Sequence, residues 1–342
     1  MVAALSITGQ ELLHLNTQGY TYSDLARNYK LTRGQVAGRI RDYRARVEMR
    51  RVTPAANLYS RSSTELESLV SANSKLWADE MKRLSGMKRW LKLAFVTDIH
   101  APYQDDAAYE LALNIVSDFN PDVMVSGSDF FDFRSLGRWE DDRTVFQRVW
   151  DGDVGNAIAA HKKDSDNWKD AAPNAKRPFL PGNHDMRMVK YSLSKAPDTA
   201  AYTLVNFWRA LCSHGALYLG DIPHLQLSPG LMLLHGTRTG KNAVVKTLEA
   251  FNFQRSVVFG HIHHIMSEER RGVDYDVSGY SVGCLCKLQP HWTSDHMNWQ
   301  NGLLLGHYNP LGFEHALYNV KFVRSNGFLS AYLFDRHYRV KL

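Results

Sequence analysis

LKLAFVTDIH, residues 91–100, is a short apolar run that stops on chemically active side chains. A run of this length without polar alternation reads as a strand buried on both faces. Asp98 and His100 stand at its C-terminal tip, one residue apart. On an extended chain both point to the same side and can share one cation. The layout recurs in PDVMVSGSDFFD (121–132), RPFLPGNHD (177–185), LMLLHG (231–236) and SVVFGHIHH (256–264). Each reads as a strand delivering polar residues at its tip. A helical pattern over 106–120 separates the first two and predicts a crossover, hence an α/β chain with helices over the faces of its sheet.

The tips supply Asp129 and Asp132, then Asn183, His184 and Asp185, then His235, and last His261 and His263. Carboxylate, imidazole and amide oxygen together suit manganese, iron or zinc better than calcium. Imidazoles arriving at strand ends are costly to bury unless something binds them.

Taken in order, D-x-H, a GD-x-x-D-like element, GNHD, H-G and G-H-x-H resemble the signature of the calcineurin-like metallophosphoesterases over about residues 92–290. The resemblance implies a two-sheet β-sandwich flanked by helices and two divalent metal ions, manganese foremost, with iron, zinc or nickel as alternatives. It assigns Asp98, His100, Asp129 and His263 to one metal, and Asp129, Asn183, His235 and His261 to the other, with Asp129 bridging. Hydroxide generated at the pair would attack phosphorus, His184 would protonate the departing oxygen, and Asp132 would orient His184. Arg187 and Arg238 follow their motifs closely enough to grip a phosphate. One departure stands out: Ser128 precedes the bridging aspartate where the family has glycine, and Gly127 lies one position earlier. Residues 134–178, with Trp139, Trp150 and Trp168, read as a helical insertion near the site mouth. The β-rich runs after Gly279 read as the second sheet of the sandwich.

The net charge of +6 is unevenly spread: residues 1–61 hold ten Lys/Arg against four acids, and the remainder balances. Such a footprint suits a nucleic-acid-binding module on a neutral body. Within residues 21–51, TYSDLARNYKLTRGQVAGRIRDYRARVEMRR, capping boxes at Thr21/Asp24 and Thr32/Gln35 start two helices. A helix near 9–16 completes a three-helix unit with Leu25, Ala26, Leu31, Val36 and Ile40 inside, and Arg33, Arg39, Arg41 and Arg44 outside. This resembles a helix-turn-helix of the resolvase or homeodomain-like kind, which implies DNA as a partner. Gly34 and Gly38 cost the second helix about 1 kcal/mol each relative to alanine, and a protein-docking role stays open.

The chain thus divides into 1–51, a linker and amphipathic helix over 52–90, and a catalytic domain over 91–342. The apolar stripe of the helix expected at 63–85 either packs on its own domain or pairs two chains in a homodimer. Asn73 and Glu80 interrupt it.

No apolar run approaches a membrane span, and the first residues lack an export signal, so the expected location is cytoplasmic. Cys212, Cys284 and Cys286 lack zinc-ribbon spacing and read as core or strand residues. Phe133-Arg134-Ser135 stands where Ser/Thr protein phosphatases have Arg-Gly, and Asp185 where they have Glu. With the basic helices fused to it, the first reading is a metal-dependent nuclease acting on DNA, in a bacterial or phage setting. The alternatives are a small-molecule or nucleotide phosphoesterase whose helices only target it, and a non-catalytic DNA-binding regulator.

Overall fold

The computed structural model describes residues 7–17, 20–50, 58–136, 153–271, 276–289 and 298–342. Most of the expected linker, and Trp139 and Trp150 of the insertion, lie outside these residues.

Three helices open the chain: α1 (Gly9–Thr17), α2 (Tyr22–Asn28) and α3 (Arg33–Arg50). Both reciprocal caps form, with Thr21 and Asp24 closing the start of α2 and Thr32 and Gln35 that of α3. Ile7, Leu12, Leu25, Val36 and Ile40 bury their side chains between the three helices, and Ala26 and Leu31 pack against them.

The long helix α4 (Leu58–Ser85) begins before the stripe that announced it. Trp77 and Leu84 are buried, Leu66, Leu69, Val70 and Met81 pack on the body of the molecule, and Leu76 faces solvent. Asn73 is buried too, and its amide donates to the Tyr218 carbonyl at 3.2 Å and lies 3.1 Å from the Cys212 thiol. The polar break in the stripe is therefore satisfied within the chain, and the apolar face is used there as well.

The first sheet has the order β11-β10-β1-β2-β3-β4. It comprises β1 (Leu91–Phe95), β2 (Val123–Gly127), β3 (Arg177–Leu180), β4 (Ala216–Tyr218), β10 (Gly302–Tyr308) and β11 (His315–Lys321). Strands β1 to β4 run parallel, while β10 and β11 continue antiparallel. The second sheet, ordered β5-β6-β7-β9-β8, holds β5 (His224–Ser228), β6 (Leu231–Leu234), β7 (Ser256–Phe259), β8 (Met266–Arg270) and β9 (Val277–Ser281). A third sheet closes the chain with β12 (Val323–Ser325), β13 (Phe328–Leu333) and β14 (Arg336–Lys341).

Leu93, Phe95, Val125 and Leu304 of the first sheet meet Leu225, Leu233 and Val258 of the second in a dry middle layer. The outer face of the first sheet is covered by α5 (Asp106–Phe119), α6 (Asp153–Ala171), α7 (Met186–Lys195) and α8 (Pro197–Ser213). The outer face of the second carries α9 (Ala243–Ala250) through Val244 and Leu248. This is the helix-flanked two-sheet sandwich that the motifs imply. One expectation is corrected. The runs after Gly279 do not build the second sheet alone: β10 and β11 extend the first, and the late hairpin forms the third. Nearly every residue of β10 is buried, so it must be covered on both faces, and the slot beside β1 provides that.

Candidate metal centre

All five tips converge at one rim of the sandwich, but not as extended strands. β1 ends at Phe95 and β7 at Phe259, and beyond them the chain coils tightly. Asp98, His100, Ser128, Asp129, His261 and His263 all have φ between 51° and 74°. Such left-handed backbone costs on the order of 1 kcal/mol or more per non-glycine residue and survives only where neighbours enforce it. Here adjacent loops are zipped together: the amides of Asp98, His100 and Ala101 donate to the carbonyls of Ser128, Asp129 and Phe130 at 2.7–3.0 Å.

Among the described residues four groups of donors could hold a metal, His263 with Cys284 and Cys286 and His100 with Asp132 and His184 being two of them, and the other two are triads of the expected ligands. Asp98, His100 and His263 form one, with Nε2 of the two histidines 3.2 Å apart and Asp98 Oδ1 3.2 Å from His263. Asp129, His235 and His261 form the other, with His235 Nε2 lying 3.2 Å from Asp129 Oδ2, 3.0 Å from His261 Nδ1 and 2.8 Å from Asn183 Oδ1. Two nitrogens held 2.0–2.1 Å from one cation stand about 3.0–3.4 Å apart, so these separations suit a shared ion better than a packed core. The donors are also those of a manganese, iron or zinc site. The structure thus brings the expected ligands together as a candidate metal centre.

Electrostatics agrees with the geometry. Burial works to raise the Asp98 and Asp129 carboxyls, yet His263 beside the one and His235 beside the other hold both below the usual carboxylate range. Burial opposes charge on His263, but Asp98 pushes it up to about 9. Cation-seeking carboxylates thus sit fully buried against imidazoles, the arrangement that a divalent ion would take over from protons.

Beside the triads, His184 Nδ1 lies 2.6 Å from Asp132 Oδ1, which is also 3.0 Å from His100 Nδ1. Burial opposes ionisation of Asp132, but hydrogen bonds from His100 and His184 keep it well below the usual range. Arg187 donates to the Asp132 carbonyl at 2.7 Å and stands 3.0 Å from His184 Nε2. Arg238 is exposed on the loop after His235 and, among the described residues, makes no hydrogen bond or ion pair. At the other end of the chain Arg33, Arg39 and Arg41 are exposed on α3, although Arg39 spends one donor on the Ile7 carbonyl at 2.7 Å. The Arg44 side chain lies outside the described residues.

Four residues take supporting roles that the motifs do not announce. Ser128, the departure from glycine, places its hydroxyl 2.8 Å from His235 Nδ1 and so orients a metal donor. Asp185 is wholly buried and accepts amide N–H groups from Gly182, Asp129 and Phe131 at 2.7–2.9 Å, joining the second and third tips. Cys286 Sγ lies 3.8 Å from His263 Nδ1, and the Trp299 ring meets His263 edge-on at 4.1 Å. Two glycines serve close approach: a Cβ on Gly182 would overlap Asp129, and one on Gly260 would overlap Thr97 and Asp98.

The chain is 25% identical to the Gene 54 protein of Mycobacterium phage L5 over 63% of its length and 88% of that protein. It is 24% identical to the Gene 54 protein of Mycobacterium phage D29 over 62% and 86%. A crystal structure of Chaetomium thermophilum Vps29 superposes with a TM-score of 0.40 at 12% identity, covering 73% of this chain and 95% of that one. The model of the calcineurin-like phosphoesterase family matches residues 91–265, the stretch that runs from β1 through the last pair of histidine donors. Both triads lie within the matched sequence, and the chain belongs to the calcineurin-like phosphoesterases, metal-dependent hydrolases of phosphate esters.

Proposed function

We propose that this phosphoesterase is a two-metal phosphodiesterase that cleaves DNA. The observation that carries the substrate class is the segregation of charge: the whole net +6 lies on residues 1–61, whose third helix exposes Arg33 and Arg41. A basic helical unit, read as a helix-turn-helix, would raise the local concentration of phosphodiesters at a neutral catalytic body. Two mycobacteriophage relatives suit the phage or bacterial setting expected of such a fusion.

Asp98, His100 and His263 would hold one divalent cation, and Asp129, Asn183, His235 and His261 the other, with Asp129 proposed to reach both. When bound, the pair would neutralise charge on the phosphoryl oxygens and supply a nucleophile near neutral pH. The remaining steps fall to this chain's own groups. Asp132 accepts the Nδ1–H of His184 and so fixes the tautomer, leaving Nε2 to exchange a proton with the leaving oxygen. Arg187 can only donate, and it now faces that same Nε2. Its turn toward a substrate phosphate would free His184 to be protonated there, coupling phosphate binding to arming of the acid.

The test is incubation with Mn²⁺ and supercoiled DNA, linear duplex, single strands, RNA and a chromogenic diester, beside a His235→Ala control and a chain lacking residues 1–61. Cleavage of DNA by the native chain, absent in the control and lost in the truncated chain while the chromogenic activity persists, supports the reading. Hydrolysis of the small diester or mononucleotides alone sinks it and favours a nucleotide phosphoesterase.

A further inference from the structure

We propose that the outer face of the C-terminal three-stranded sheet is a platform for single-stranded nucleic acid, separate from both the metal centre and the N-terminal helices. It deepens the nuclease reading and rests on that reading only for the purpose the binding serves. In β13, Leu329, Ala331 and Leu333 are buried, so alternation turns Phe328, Ser330 and Tyr332 outward. The register sets these opposite Lys341, Arg339 and His337 of β14. Rings and cations therefore stand side by side. The Tyr332 and His337 rings stack 4.3 Å apart at 6°, and the Arg339 guanidinium lies 3.9 Å from the Phe328 centroid.

Tyr332 is 74% exposed and Phe334 67%. Phe334 adds an independent sign: it occupies the first turn position between β13 and β14 with φ 54°, where glycine or asparagine would sit without strain. The Phe334 ring meets the exposed Tyr318 ring of β11 edge-on at 5.6 Å, so the aromatic surface open to solvent continues from this turn onto the neighbouring sheet. Charge points the same way. Residues 321–342 carry five Lys/Arg against one acid, although the body as a whole is neutral. Arg324 and Arg336 are bound to Asp105 and Asp118, which leaves Arg339 and Lys341 on the open face.

An acidic peptide would use these cations and ignore the rings, and a duplex hides its base faces. A single strand uses both, because every base has a π-face and every link a phosphate.

The test is fluorescence anisotropy of labelled oligothymidylate with the full-length chain in EDTA, which binds without cleaving. Excess unlabelled duplex is present to occupy the N-terminal helices. Tyr332→Ala and Phe334→Ala should each weaken binding about tenfold, while Tyr332→Phe keeps the native affinity. Arg339→Gln with Lys341→Gln should lower the slope of log affinity against log salt by about 1.4. All should hydrolyse the chromogenic diester at the native rate. Native affinity in the Tyr332→Ala/Phe334→Ala chain, or no single-strand binding by the native chain, overturns the platform, even where duplex DNA is still cut. The expected binding pattern in a chain that cleaves no nucleic acid supports the platform and removes the nuclease reading instead.

Discussion

Ser128 illustrates how single residues set this site. At φ 58° it accepts strain that glycine would avoid, and in return its hydroxyl orients His235. Ser128→Ala should lower Mn²⁺ affinity about tenfold or more with little change in melting temperature; calorimetric titration giving native affinity would refute the orienting role. Asp164 on α6 carries a different liability. It is buried, its Oδ2 has no hydrogen-bond partner among the described residues, and burial pushes its carboxyl up to about 7 from 3.8. Because the folded value lies above the unfolded one, its protonated form favours the fold, with full effect below about pH 4 and loss as pH rises through 7. Asp164→Asn should flatten that slope, which amounts to about 2–4 kcal/mol in denaturant titrations between pH 4 and 8. The candidate metal donors were legible because each sits in a short local motif. The partner of Ser128 lies 107 positions away, and no spacing encodes it.

Among the elements, α3 exposes the charges that should meet DNA. Arg33→Gln with Arg41→Gln should weaken duplex binding and reduce its salt slope by about 1.8, leaving diester hydrolysis intact. An unchanged slope across a salt series would remove α3 from the contact. The capping boxes made the starts of α2 and α3 readable, because a cap is a contact over three residues. Sheet membership was not readable in the same way. The runs at β7 and β10 look alike as buried strands, but they belong to different sheets, and only pairing over long separations decides which. Likewise Asn73 looked like a flaw in a stripe until α8 and β4 supplied its partners.

At the scale of the molecule, each donor triad draws on both sheets: Asp98 and His100 follow β1, Asp129 follows β2, and His235, His261 and His263 follow β6 and β7. Divalent ions should therefore stabilise the whole sandwich, by about 2.7 kcal/mol at a hundredfold excess over the dissociation constant. Scanning calorimetry should show the melting temperature fall in EDTA, recover with Mn²⁺, and respond much less in Asp98→Asn; identical melts with and without chelator would exclude a shared ion. In mechanical terms the two sheets are plates that adhere along their faces and are riveted at one rim only. Under tension a loaded molecule should open from the unriveted end, toward the strand beginnings, and give way last where the catalytic groups lie.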